Sequence, residues 1–130
     1  MKLWNEYQAF YEVDIAPVTD VTWARLLDAG EPMFGAVAVA GDAPIGLVHW
    51  VLHRSTWSIG STCYLQDLFV SPDRRGTGAG AQLIGHVYEA ARAAGCGDVY
   101  WLTHQANATA VRLYDRVATR SGFVQYQKLL

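Results

Sequence analysis

The chain changes its hydrophobic period several times. Leu3, Tyr7 and Phe10 recur at helical spacing, with Trp4 and Tyr11 beside them, and predict a helix over residues 2–12. Pro17 breaks the chain. Thr19 and Asp20 offer side-chain oxygens to cap a second helix through Leu27, with Trp23, Leu26 and Leu27 as its apolar face. Gly30-Glu31-Pro32 ends it. Residues 33–40 and 45–52 then read as strands joined by a hairpin at Gly41-Asp42-Ala43-Pro44. With residues 63–70 they make an antiparallel meander, after a longer connection that carries Trp57. Helical spacing returns at Leu83, Val87, Ala90, Ala91 and Ala94 and predicts a helix from Gln82 to Ala94, which Gly95 stops. A buried strand over 98–103, a helix from Asn107 to about Val117 and a last strand over 123–129 follow. This order predicts an α/β fold, in detail an α+β mixed sheet with helices on both faces.

One stretch resists the pattern. Arg75-Gly76-Thr77-Gly78-Ala79-Gly80 puts three alternating glycines where a helix should begin. They cost helix propensity, so something offsets them. One explanation is a turn that lets the helix pack closely on the sheet. The other is a ligand. Glycine admits close approach to the backbone, and a helix start presents free N–H groups and the positive dipole end. Together these favour a phosphate or pyrophosphate, and Arg74 and Arg75 add fixed positive charge. A P-loop is excluded, because the Gly-Lys-Ser/Thr ending is absent. A dinucleotide fingerprint fits Gly76, Gly78 and Ala81 by spacing alone. It also needs a βαβ context and an acidic residue at the next strand's far end, whereas Asp98 stands at that strand's start.

Arg75-x-x-Gly78-x-Gly80, following a hydrophobic strand and Ser71-Pro72-Asp73, resembles the acetyl-CoA signature of the GNAT superfamily of N-acetyltransferases. A second match lies at Asn107-x-x-Ala110-x-x-Leu113-Tyr114. The resemblance runs roughly from Leu3 to the end. It implies a GNAT-like acyl-CoA N-acyltransferase fold and acetyl-CoA as co-substrate. The amides of Arg75, Gly76, Thr77, Gly78, Ala79 and Gly80 would bind the CoA pyrophosphate. The backbone of Leu68, Phe69 and Val70 would pair with the pantetheine arm. The implied activity is direct transfer, in a ternary complex, to the primary amine of a small molecule or peptide. The branch most resembled holds polyamine, histone and amino-acid acetyltransferases. The alternative is a non-catalytic acyl-CoA-binding or regulatory module that kept the loop. Two departures stand out. The family's first strand is absent or truncated, or another segment replaces it, because only Met1, Lys2 and Leu3 precede helical residues. Its usual Gly-Phe is displaced to Gly122-Phe123.

Composition narrows the setting. The 130 residues, 52% of them hydrophobic, suit one domain over 1–130 with a real core and exclude a disordered chain. A net charge of −2 implies no basic face, which argues against nucleic acid. No apolar run approaches a membrane span, and the N-terminus lacks signal-peptide features. Cys63 and Cys96 read as free thiols, with no metal-ligand spacing around them, in a cytoplasmic protein. A sheet without its first strand exposes an edge, which predicts a homodimer.

Acyl transfer from a thioester needs a proton removed from the amine, a donor for the oxyanion and a proton for the leaving thiolate. The resemblance gives Tyr114 the last role. A phenol can serve, since its pKa exceeds that of a thiol. A core tyrosine bonded to backbone is the plainer reading. Asn107 reads as a helix cap and, by resemblance, as a contact to the CoA arm or substrate. The base is open. Polyamine enzymes of the family can carry Leu-Glu-Asp before the loop, with the glutamate as proposed base. Here the stretch is Leu65-Gln66-Asp67. Gln66 cannot accept a proton, and strand alternation turns Asp67 to the opposite face. His49, His53 and His104 are further candidates, and His86 reads as surface or packing. Glu6, Glu12, Asp14 and Glu31 are candidates to hold a cationic amine. With no carboxylate where the resemblance would put one, either water is expected to carry the amine's proton to solvent or the enzyme captures the small neutral fraction of the amine.

Overall fold

The computed structural model describes residues 2–10 and 16–130. The chain runs α1 (Lys2–Phe10), α2 (Ala16–Leu27), β1 (Met33–Ala40), β2 (Ala43–His53), β3 (Thr62–Val70), α3 (Ala79–Ala93), β4 (Val99–Tyr100) and α4 (Ala108–Val117). A 3₁₀ turn, Pro72–Arg74, lies between β3 and α3. The four strands form one sheet in the order β1-β2-β3-β4. The first three are an antiparallel meander, and β4 lies parallel to β3. Among the described residues α1 precedes any strand.

Strand alternation divides the side chains between two helical layers. Val48, Trp50, Cys63 and Leu65 face α3, where they meet Leu83, Ile84, Val87 and Ala91; Leu113, Tyr114 and Val117 of α4 pack on the same cluster. Leu47 and Phe69 face the other way and close against Leu3, with Trp4 and Tyr7 packed around them. A register shift falls between His49 and Trp50, where His49 pairs with Asp67 and Trp50 with Leu65. Gln66 is therefore an extra residue in β3. Such a bulge re-aims the side chains that follow it. Without it Asp67 would share the face of Cys63 and Leu65. With it, Asp67 lies buried on the α1 face while Gln66 is exposed.

Several expectations need correction. Pro17 does not break the chain; it lies in the first turn of α2, where a missing N–H costs nothing. Thr19 is consequently inside that helix, and its Oγ1 accepts a hydrogen bond from the Trp4 indole at 3.2 Å. The hairpin turn is only Gly41-Asp42, since Ala43 and Pro44 already pair with Ala40 and Val39. Helix α3 begins three residues before Gln82. The strand expected over 98–103 shrinks to Val99–Tyr100. The strand expected over 123–129 does not form, and Phe123, Val124, Tyr126 and Leu129 are exposed. Its β-branched and aromatic residues have the propensity, but propensity makes a strand only where a neighbour offers a partner. Residues 11–12 of the first expected helix lie outside the described residues.

Candidate active site

Strands β3 and β4 part almost at once. They pair only at Cys63–Val99 and Tyr64–Tyr100, and beyond that a cleft of about 290 Å³ opens. Leu68, Phe69 and Val70 form one wall, Arg75, Gly76, Gly78, Ala79 and Gly80 the end, and Asn107 and Tyr114 the far wall. Ten of the eleven site residues expected from sequence thus meet around one space. Thr77 does not line it; its Oγ1 donates to the Arg74 carbonyl at 2.6 Å and closes the turn.

The loop conformation explains the glycines. Gly76 has φ 80° and Gly78, the N-cap of α3, has φ 88°, values that L side chains rarely adopt. A Cβ on either would meet nothing within 4 Å, so packing does not require glycine there. Gly80 differs. Its Cβ would come 3.1 Å from Cδ2 of Leu113, so this glycine sets the approach of α3 to α4. The packing reading of the glycine run holds at Gly80, while at Gly76 and Gly78 it is the backbone conformation that favours glycine. The cleft end thus presents the N-terminal turn of a 15-residue helix, whose free N–H groups and dipole favour an anion.

Arginine adds charge here in an unexpected posture. Arg75 folds back over β3, its Nε donating to the Val70 carbonyl at 3.1 Å and its guanidinium lying 5.6 Å from the Phe69 ring centroid. It braces the strand end beside the loop. Arg74, whose charge the sequence already put beside the loop, lines the cleft as well, and so does Arg116, which the sequence did not place there. Arg116 lies two residues beyond Tyr114, and no local motif signals it.

Asn107 caps α4, its Oδ1 accepting from the Ala110 amide at a long 3.5 Å, and it also borders the cleft. Tyr114 is half-buried, edge-on to Trp101 with ring centroids 5.3 Å apart. It borders both the cleft and a second chamber of about 330 Å³ that Tyr7, Gln66, Trp101, Thr103 and His104 also line.

The histidines separate. His49 Nδ1–H donates to Asp67 Oδ2 at 3.0 Å, and the Tyr7 hydroxyl donates to Asp67 Oδ1. His53 bonds the Tyr100 hydroxyl at 2.7 Å. His86 stands edge-on to Trp50 at 5.8 Å. His104 Nδ1 accepts from the Ala106 amide at 3.2 Å. Glu6 lies 4.0 Å from Lys2, one turn away, and Glu31 follows the turn after α2; Glu12 and Asp14 lie outside the described residues. Burial, then the Asp67 charge, raises the Tyr64 pKa above its ordinary value. Among the described residues no group of three or more His, Cys, Asp or Glu side chains gathers as a metal site, and no helix is long and apolar enough to cross a membrane.

Comparison with known proteins agrees with this geometry. The model of the acetyltransferase (GNAT) family matches residues 1–118. The D-amino-acid N-acetyltransferase HPA3 of Saccharomyces cerevisiae is 37% identical over 131 residues, covering 98% of this chain and 81% of that protein. The thialysine N-epsilon-acetyltransferase of Sus scrofa is 34% identical over 98 residues, covering 75% of this chain and 53% of that protein, so the match spans about half of its length. In structure, an aminoglycoside acetyltransferase from an uncultured soil metagenomic sample, meta-AAC0020, superposes with a TM-score of 0.82 at 18% identity. That match covers 98% of this chain and 86% of the other. With its two motifs facing each other across the parted strands, the chain belongs to the GNAT family of acetyltransferases and is an N-acetyltransferase by class.

Proposed function

We propose that the chain is an acetyl-CoA-dependent enzyme that transfers the acetyl group directly to a primary amine while both substrates are bound. The observation that carries this reading is the parting of β3 from β4 in front of the first turn of α3, with Tyr114 on the facing helix. Acetyl-CoA supplies the activated acyl group. The amides from Arg75 to Gly80 hold its pyrophosphate, aided by Arg74 and Arg116. The backbone of Leu68–Val70 runs beside its pantetheine arm. Asn107 fixes the start of α4 and contacts that arm. Tyr114 protonates the departing thiolate. The relatives named for D-amino acids and thialysine support a small amino-acid-like amine as acceptor. We place the protein in the cytoplasm on its free thiols, and as a homodimer because β1 is an edge strand carrying exposed Phe34, Val37 and Val39. Thermal shift tests the ligand. Acetyl-CoA and desulfo-CoA should both raise the melting temperature, since each binds only the folded state. A shift with NADH but none with either CoA form would refute the reading.

A further inference from the structure

The face of the sheet opposite α3 holds a hydrogen-bonded chain of three side chains from three elements: Tyr7 of α1, Asp67 of β3 and His49 of β2. The Asp67 and His49 side chains are only 11% and 16% exposed. A carboxylate so buried needs donors, and it has two, one on each oxygen. The chain is also fixed mechanically. Trp4 stacks on Tyr7 with centroids 5.2 Å apart and stands edge-on to His49 at 5.3 Å, while Phe69 meets the Tyr7 ring edge-on at 6.4 Å. The bulge at Gln66 is what turns Asp67 into this arrangement. Its bearing on chemistry lies in Tyr7, which lines the same 330 Å³ chamber as Tyr114, the residue that also borders the cleft.

Resting on the function proposed above, we infer that this chamber receives the acceptor amine and that Tyr7 and Asp67 take up its proton. The buried carboxylate draws the substrate in as an ammonium ion. An N–H bond of the ammonium breaks as its proton passes to the Tyr7 oxygen. The proton already on that oxygen passes along the existing hydrogen bond to Asp67 Oδ1. The amine is left neutral with a free electron pair, and Asp67 becomes a neutral acid, still accepting from His49 Nδ1–H. His49 is a positioning residue, holding Asp67 Oδ2 so that Oδ1 faces Tyr7. This route replaces the water path expected from the amide at position 66. Proton uptake and thiolate protonation then flank the reacting atoms, at Tyr7 and Tyr114.

The test compares two acceptors with acetyl-CoA: an alkylamine, protonated at pH 7, and an alkoxyamine, already neutral there. In Asp67→Asn the ratio of kcat/KM for the alkoxyamine to that for the alkylamine should rise roughly 10²-fold, the usual weight of an acid–base group. Tyr7→Phe keeps the ring packing and should raise the same ratio, which covers the case that Asp67→Asn does not fold. His49→Ala should raise it less, and His49→Gln, which can still donate to Asp67, should restore most of the wild-type ratio. Misfolding or general loss of packing would lower both substrates together. A ratio unchanged in Asp67→Asn and Tyr7→Phe, with wild-type enzyme acetylating both amines, overturns the relay alone. Wild-type protein that acetylates neither amine overturns the functional reading beneath it.

Discussion

Replacing Gly78 by alanine separates the loop's backbone conformation from its packing. At φ 88°, ψ 0° the residue sits in the left-handed region, where an L side chain costs about 1–2 kcal/mol. Nothing lies within 4 Å of the added methyl, so no clash adds to that cost. A smaller opposing gain comes from stiffening the unfolded chain, about 0.4–1 kcal/mol where the conformation is compatible. The net expectation is a loss of about 1 kcal/mol, or roughly 3–5 °C in melting temperature for a chain of this size. Gly85 is the control. It lies inside α3, and its added methyl also meets nothing within 4 Å. Gly85→Ala should therefore stabilise by about 0.5–1 kcal/mol. Urea denaturation of the two variants should move the midpoints in opposite directions. The rise in melting temperature on adding acetyl-CoA should shrink in Gly78→Ala and persist in Gly85→Ala. If Gly78→Ala matches Gly85→Ala in stability and keeps the wild-type response to acetyl-CoA, the loop is neither strained nor part of the ligand site.

Tyr114→Phe should lower kcat by roughly 10²-fold with little change in acetyl-CoA affinity by calorimetry; an unchanged kcat with chemistry rate-limiting would reduce Tyr114 to a core residue. Burial first, then the neighbouring Cys96 and Asp98, raises the Cys63 thiol from 9.0 to about 11. The folded state thus holds this proton more tightly than the unfolded, so its contribution to stability is complete below pH 9 and lost as pH rises toward 11. Denaturation midpoints across that window should fall, and Cys63→Ala should flatten part of the fall; an identical slope in the variant would refute the assignment. Sedimentation at micromolar concentration should give a dimer, and a stable monomer would remove the edge-pairing proposal.

The central motif was legible because its parts are local. The loop's glycines, the helix after it and the capped helix at Asn107 depend on contacts within a few residues, and ten of the eleven expected residues share the cleft. Thr77 missed it because its hydroxyl closes its own turn. What sequence could not show depends on distant pairing. Alternation alone turned Asp67 away from Gln66, but only the register between β2 and β3 reveals the bulge that brings it to His49 and Tyr7. The partners Asp67 and Tyr7 lie 60 residues apart in sequence, and no spacing rule links them. The segment 123–129 misled for the converse reason, since strand composition says nothing of whether an edge is within reach.

Mass spectrometry of a primary-amine panel, D-amino acids and thialysine included, incubated with acetyl-CoA and the protein bears most directly on the assigned chemistry. One or more amines should gain a single acetyl group, with CoA released in equal amount, and Tyr114→Phe should slow that gain without abolishing acetyl-CoA binding. Tight binding of acetyl-CoA with no amine acetylated would contradict an enzyme and leave an acyl-CoA-binding module.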